Sequence, residues 1–164
     1  MKARVFSALF LSLLLISGEA MPQNATKQAF SADAKIAAVT GAYALDAVDH
    51  AKANFGVALD WSDGSIAKVE TILARLHADY VKSKAQMPDD AIATMAKGYG
   101  SYIGEVYRRN HGGEWGMMTL DGLDFPAVKA RNGTAFWPIG RVTNRIRNGS
   151  GDNVAFYYRG LLAK

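Results

Sequence analysis

YGSYIGEVYRRNHGGEW, residues 99–115, reads as the last turns of a long helix, its glycine stop and the entry into a strand. Upstream, Ile92, Met95, Tyr99, Tyr102, Ile103, Val106 and Tyr107 recur at steps of three and four, which makes one apolar face of an amphipathic helix. Pro88 suits the first helical position, and Asp89 and Asp90 then lie where the helix dipole favours negative charge. At the other end Arg108, Arg109 and His111 sit at the negative pole, and Gly112 supplies the left-handed residue that closes a helix. Gly100 and Gly104 lie one turn apart inside it. Each costs about 1 kcal/mol against alanine, so a neighbouring backbone packed over a side-chain-free groove is the expected compensation.

The same stretch concentrates polar chemistry. Glu105 reaches Arg108 at i+3 and Arg109 at i+4. Two readings follow: a structural ion pair at a helix end, or a half-buried acid with an arginine and His111 beside it, an acid/base or anion site. Trp115, just past the glycines, is expected to cap the packing of this corner.

Downstream the character changes. Trp115 to Leu120 reads as a strand, Asp121-Gly122 as a hairpin turn, and Leu123 to Phe125 as a brief return before Pro126. Asn132-Gly133 is a second turn, with a short strand at Thr134 to Trp137. Pro138 opens a short helix stopped by Asn148-Gly149, which places Arg141 and Arg145 one turn apart. Val154 to Tyr158 (VAFYY) reads as the last strand.

Upstream, an alanine-rich helix is expected from Phe30 to Phe55, closed by Gly56. Asp46, Asp49 and His50 share its polar face, which is read as solvated rather than as a metal site. A second helix starts near Ser62 as N-cap. Its buried stripe is Ile66, Val69, Leu73, Leu76 and Tyr80, with His77 beside the stripe as a satisfied histidine. Three helices followed by strands, a short helix and a final strand argue an α+β fold: three helices packed on a small antiparallel sheet of three to four strands, with one short helix towards the C-terminus.

The first twenty residues are read apart from the fold. Lys2 and Arg4 precede an apolar run, Val5 to Ile16, and Gly18-Glu19-Ala20 offers small residues for signal peptidase, so 1–20 is expected to be a signal peptide. Residues 21–29 are expected to be a loose leader and 30–164 a single domain. The chain has no cysteine, which fits export to a bacterial periplasm better than a disulfide-stapled secreted domain. No stable membrane span is expected once the signal is cleaved. Residues 21–105 carry eight basic and ten acidic side chains, whereas residues 106–164 carry nine basic and four acidic. An Arg-rich half suits an acidic protein or an anionic envelope ligand. Nucleic acid is not expected, since no basic run or reading motif occurs.

No Gly-x-Ser-x-Gly elbow, His-Glu-x-x-His or phosphate-cradling loop is present, and no cofactor or metal is expected. Glu105, paired with Glu114 or Asp121, is the one catalytic candidate. The candidate binding residues are Arg109, His111, Trp115, Arg141 and Arg145.

LDWSDGSIAKVETIL (59–73), the 99–115 stretch and PIGRVTNRIRNG (138–149) together resemble a bacterial family known as a domain of unknown function, over roughly residues 54–160. The resemblance implies an α+β domain in which Glu105, Gly112, Gly113 and Trp115 form the signature corner. It brings no activity with it. The expected function is therefore a periplasmic binding or protein-interaction module, inhibitor- or immunity-like. The alternative is an envelope hydrolase using Glu105 as acid/base.

Overall fold

The computed structural model describes residues 28–83 and 87–163. The expected signal peptide and most of the leader lie outside the described residues. The described chain is an α+β fold. In order it runs β1 (Gln28–Ala32), α1 (Ala34–Phe55), α2 (Ser65–Lys82), α3 (Asp89–His111), β2 (Glu114–Leu120), β3 (Leu123–Lys129), β4 (Ala135–Phe136), α4 (Pro138–Asn148) and α5 (Val154–Leu162). The sheet is antiparallel, in the order β1-β2-β3-β4.

Helix α3 is the axis of the molecule. From Tyr99 to Tyr107 every residue is buried, not the expected single face. A helix enclosed all round needs small residues where its neighbours come closest, and Gly100 and Gly104 fill that role. A Cβ on Gly100 would stand 2.5 Å from the Ile139 Cα of α4, and one on Gly104 would run into the Trp115 ring. The compensation expected for these glycines is therefore present, from a backbone in one case and an indole in the other. On its far side α3 meets α1, whose buried Thr40, Ala44, Ala47 and Ala51 form a narrow seam at helical spacing.

Trp115, Val128 and Phe136 stand opposite one another across β2, β3 and β4 and are all buried, so this face of the sheet closes on α3. The hairpin turn matches its signal: Asp121 and Gly122 both have positive φ, 51° and 83°.

Three expectations are corrected. Phe30 does not begin a helix. Gln28–Ala32 forms a five-pair ladder with β2, and α1 starts only after Asp33, whose Oδ1 accepts from the Lys35 and Ile36 N–H groups. Strand β3 does not stop before Pro126 but runs to Lys129. At Pro126 the strand has β2 on one side only, because β4 begins pairing at Val128, so a missing N–H is tolerated there. Finally, Val154 to Tyr158 is helix, not strand. Asn153 Oδ1 accepts from Phe156 N–H at 2.7 Å, and Val154, Tyr158 and Leu161 form a buried helical stripe. That stripe against α2 overrides the β preference of Val-Ala-Phe-Tyr-Tyr.

Candidate functional site

At the α3–β2 corner Glu105 is 2% exposed, and both of its oxygens are fully engaged. Oε1 accepts from Arg108 Nε at 2.7 Å and from Trp115 Nε1 at 2.9 Å. Oε2 accepts from Arg108 Nη2 at 2.9 Å and Arg109 Nε at 3.1 Å. Burial alone would raise its pKa, but the hydrogen bonds and charges of the two arginines, with the indole N–H, outweigh it and hold it below the ordinary value. A carboxylate saturated by four donors and held ionised has no proton to give and no lone pair turned to a substrate. The geometry thus supports the ion-pair reading of Glu105 and opposes an acid/base role. Of its two alternative companions, Glu114 opens β2 and Asp121 follows its end, about 20 Å further along at strand rise, so the two cannot serve the same point.

The pH dependence follows from the sign of that shift. In the unfolded chain Glu105 takes its proton near the ordinary 4.5, and in the fold only at lower pH. Its stabilising contribution is complete above that unfolded value and is lost as pH falls through the lowered folded one. Urea midpoints measured from neutral pH downward should hold steady to about pH 5 and then fall. In Glu105→Gln the acid-side slope should be shallower, and an unchanged slope would show that other carboxylates carry it.

A second acid, Asp63, gathers the next layer. Tyr158 Oη donates to it at 2.6 Å, Asn110 Nδ2 at 3.1 Å, and His111 Nε2 lies 2.9 Å away. Burial pulls its pKa up, yet these three partners keep it below the ordinary value. Trp61, with φ +63°, is held in the left-handed region between them. Its N–H donates to Tyr102 Oη, its carbonyl accepts from Asn110, and the Arg109 guanidinium lies 3.7 Å over its ring. Among the described residues no serine or threonine hydroxyl bonds to His111.

The remaining expected binding residues are also internally engaged. Arg141 Nη1 donates to Asp152 at 2.9 Å, and its guanidinium lies 4.4 Å over the Tyr157 ring. Arg145 is buried and donates from Nε to Glu70 at 2.7 Å, tying α4 to α2. One turn apart on the helix, the two therefore face different surroundings. Trp115 is 2% exposed, with its ring against Gly104. His77 donates from Nδ1 to the Ile146 carbonyl at 2.8 Å, as expected of a satisfied histidine.

Positive charge is open at a different place. A cleft of about 730 Å³ beside the glycine stop is lined by Arg108, Gly112, Gly113, Glu114, Lys129 and Arg131, among others. The chain approaches itself closely here. A Cβ on Gly112 would meet the Arg131 guanidinium, and one on Gly113 would stand 2.7 Å from the Lys129 carbonyl oxygen. Lys129 and Arg131 are exposed, and among the described residues neither has an acidic partner within ion-pair distance. Arg108 keeps Nη1 beyond its two bonds to Glu105. Glu114, opposite Lys129 in the ladder, is the acid on the rim. Neither Lys129 nor Arg131 was singled out by the sequence, because nothing local separates a free cation from a paired one. A smaller hollow of about 270 Å³ between α1 and α3 is mostly apolar. Its polar feature is His50 Nδ1 at 2.8 Å from Tyr99 Oη, where burial pushes the histidine pKa down and the tyrosine pKa up.

No protein-family model matches the chain, and no curated protein matches it. Among solved structures, its fold is similar to that of a protein from Bacteroides thetaiotaomicron VPI-5482, known from a crystal structure at 1.50 Å resolution. The TM-score is 0.55 at 13% identity, over 88% of this chain and 51% of that one. The chain thus spans about half the length of that protein, and at this identity the likeness is one of fold.

Proposed function

We propose that this protein is an exported, periplasmic binding domain of the inhibitor or immunity kind, and that its partner is acidic and sits in the cleft of Arg108, Lys129 and Arg131. The observation that carries this reading is the division of the cations. Arg109, Arg141, Arg145 and Arg147 are each held by an internal carboxylate, while Lys129 and Arg131 face an open cleft without one. Cations with no internal partner lose least by meeting an external anion, and a cleft with protein walls strengthens their field. Export rests on the charged, apolar and small-residue sequence of 1–20, and no described helix is long and apolar enough to cross a membrane. The Glu105, Gly112, Gly113 and Trp115 corner is what would relate the chain to the domain-of-unknown-function family it resembles.

The test uses a labelled oligoglutamate peptide and the full chain, followed by fluorescence anisotropy at low and moderate salt. Reversing both free cations, with Lys129→Glu and Arg131→Glu together, should weaken binding by about tenfold or more, and moderate salt should weaken wild-type binding in the same direction. Circular dichroism of the variant should be unchanged, because neither side chain is part of an internal ion pair. Equal affinity in the wild type and the double variant would overturn the assignment.

A further inference from the structure

The cleft opens onto an unguarded sheet edge. Strand β1 pairs with β2 on one side, and among the described residues nothing pairs with its other side. Its five-residue register is unbroken, and Gln28–Ala32 contains no charged residue, proline or bulge, the usual devices that protect an edge. The phase of the ladder is set by Asp33, whose N–H donates to the Trp115 carbonyl at 3.1 Å. Ala29 and Ser31 share that phase and bond inward. The N–H and C=O groups of Gln28, Phe30 and Ala32 therefore point away from β2, along the free edge. On the opposite side β4 pairs only with Val128 and Lys129, and the rest of that edge, in β3, carries Asp124 and Pro126, two of the devices that protect an edge.

The edge and the cations belong together. Phe30 and Ala32 of β1 line the same cleft as Arg108 and Lys129, and Lys129 Nζ lies 5.5 Å from the centre of the Phe30 ring. A strand added to β1 would run about 4.8 Å beyond it, with alternate side chains on the cleft side. The small side chains of Ala29, Ser31 and Ala32 leave it room.

We infer that the acidic partner binds as an extended segment that adds a fifth strand to β1, hydrogen-bonded to Phe30 and Ala32, with acidic side chains at alternate positions facing Arg108, Lys129 and Arg131. This rests on the cleft reading above and specifies how that cleft is filled. Main-chain bonds would supply register and the cations selectivity, the division of labour usual in strand addition.

The probe is a synthetic, end-blocked heptapeptide of alternating glutamate and valine, with an N-methylated version of the same sequence as control. Amide hydrogen exchange of the full chain, read residue by residue by NMR, should slow by about tenfold or more at Phe30 and Ala32 when the peptide is added. Ala29 and Ser31, already inside the ladder, should change less, and the N-methylated peptide should bind weakly and protect nothing. Peptide binding that depends on Lys129 and Arg131 but leaves the Phe30 and Ala32 amides unprotected would overturn strand addition while leaving the cleft standing. Binding insensitive to charge reversal would overturn both. Protection at Phe30 and Ala32 before any peptide is added also overturns the proposal. If it grows with protein concentration, the edge belongs to a second copy, and if it does not, to the chain's own N-terminal residues.

Discussion

Replacing Glu70 with alanine should cost about 3–5 kcal/mol of folding stability, the usual loss when one member of a buried ion pair is removed. Glu70 holds two elements at once. Oε1 accepts from Arg145 Nε at 2.7 Å, and Oε2 accepts from the first N–H of α5, that of Val154, at 2.9 Å. The Arg145 side chain is 4% exposed and its Nη1 already lacks a partner, so nothing replaces the lost carboxylate. Removing the charge from the other side should be milder. Arg145→Met keeps a long side chain but removes the buried charge, and leaves Glu70, which is more exposed, free to keep capping α5. The double variant Glu70→Gln, Arg145→Met should recover most of the loss. Urea denaturation of the three proteins measures this, and a cost below about 1 kcal/mol for Glu70→Ala would mean that Arg145 rehydrates and the α2–α4–α5 tie is not structural.

The second large effect is at the indole. Trp115→Ala should cost about 3–5 kcal/mol, because the side chain fills the space between α3 and the sheet. It also leaves one of the four bonds to Glu105 unmade. Gly104→Ala should cost about 1–3 kcal/mol in the wild type, where the new methyl group overlaps the Trp115 ring. In the Trp115→Ala background the overlap with the ring is gone, Pro138 Cγ at 3.2 Å is the close neighbour that remains, and the methyl gains helix propensity, so most of the cost should vanish. The double-mutant cycle should therefore show a coupling of at least about 1 kcal/mol, and simple additivity would refute the claim that Gly104 exists to admit the indole.

These two sites differ in how legible they were. The α3 corner was readable because its information is local. The apolar spacing, the acidic first turn, the basic last turn and the glycine stop all lie within one helix length, and two mid-helix glycines with no local benefit announce a close neighbour. The same holds for Asp121-Gly122 and for the Pro138 and Gly149 limits of α4. Glu105 was recognisable as a paired acid, since i+3 and i+4 partners are fixed by helix geometry. The Glu70–Arg145 tie was not, because 75 positions separate its members and nothing in either neighbourhood points to the other.

The wrong assignments have the same cause. Val154 to Tyr158 has the composition of a strand, and only the seat of Val154, Tyr158 and Leu161 against α2, with Glu70 at its first N–H, makes it α5. Gln28–Ala32 has almost no pattern of its own and becomes a strand because β2, some ninety positions away, offers a free edge. Charge shows the division most clearly. Composition revealed an excess of cations in the last third of the chain, but which of them are spent on Glu105, Glu70, Asp152 and Asp89, and which, such as Lys129, Arg131 and Arg159, are left without a carboxylate, depends on pairings between distant segments. Local forces on each residue set its helix, turn or cap. Long-range packing sets the dielectric and the partners it meets there, and so whether a charge is spent inside the fold or left for a ligand.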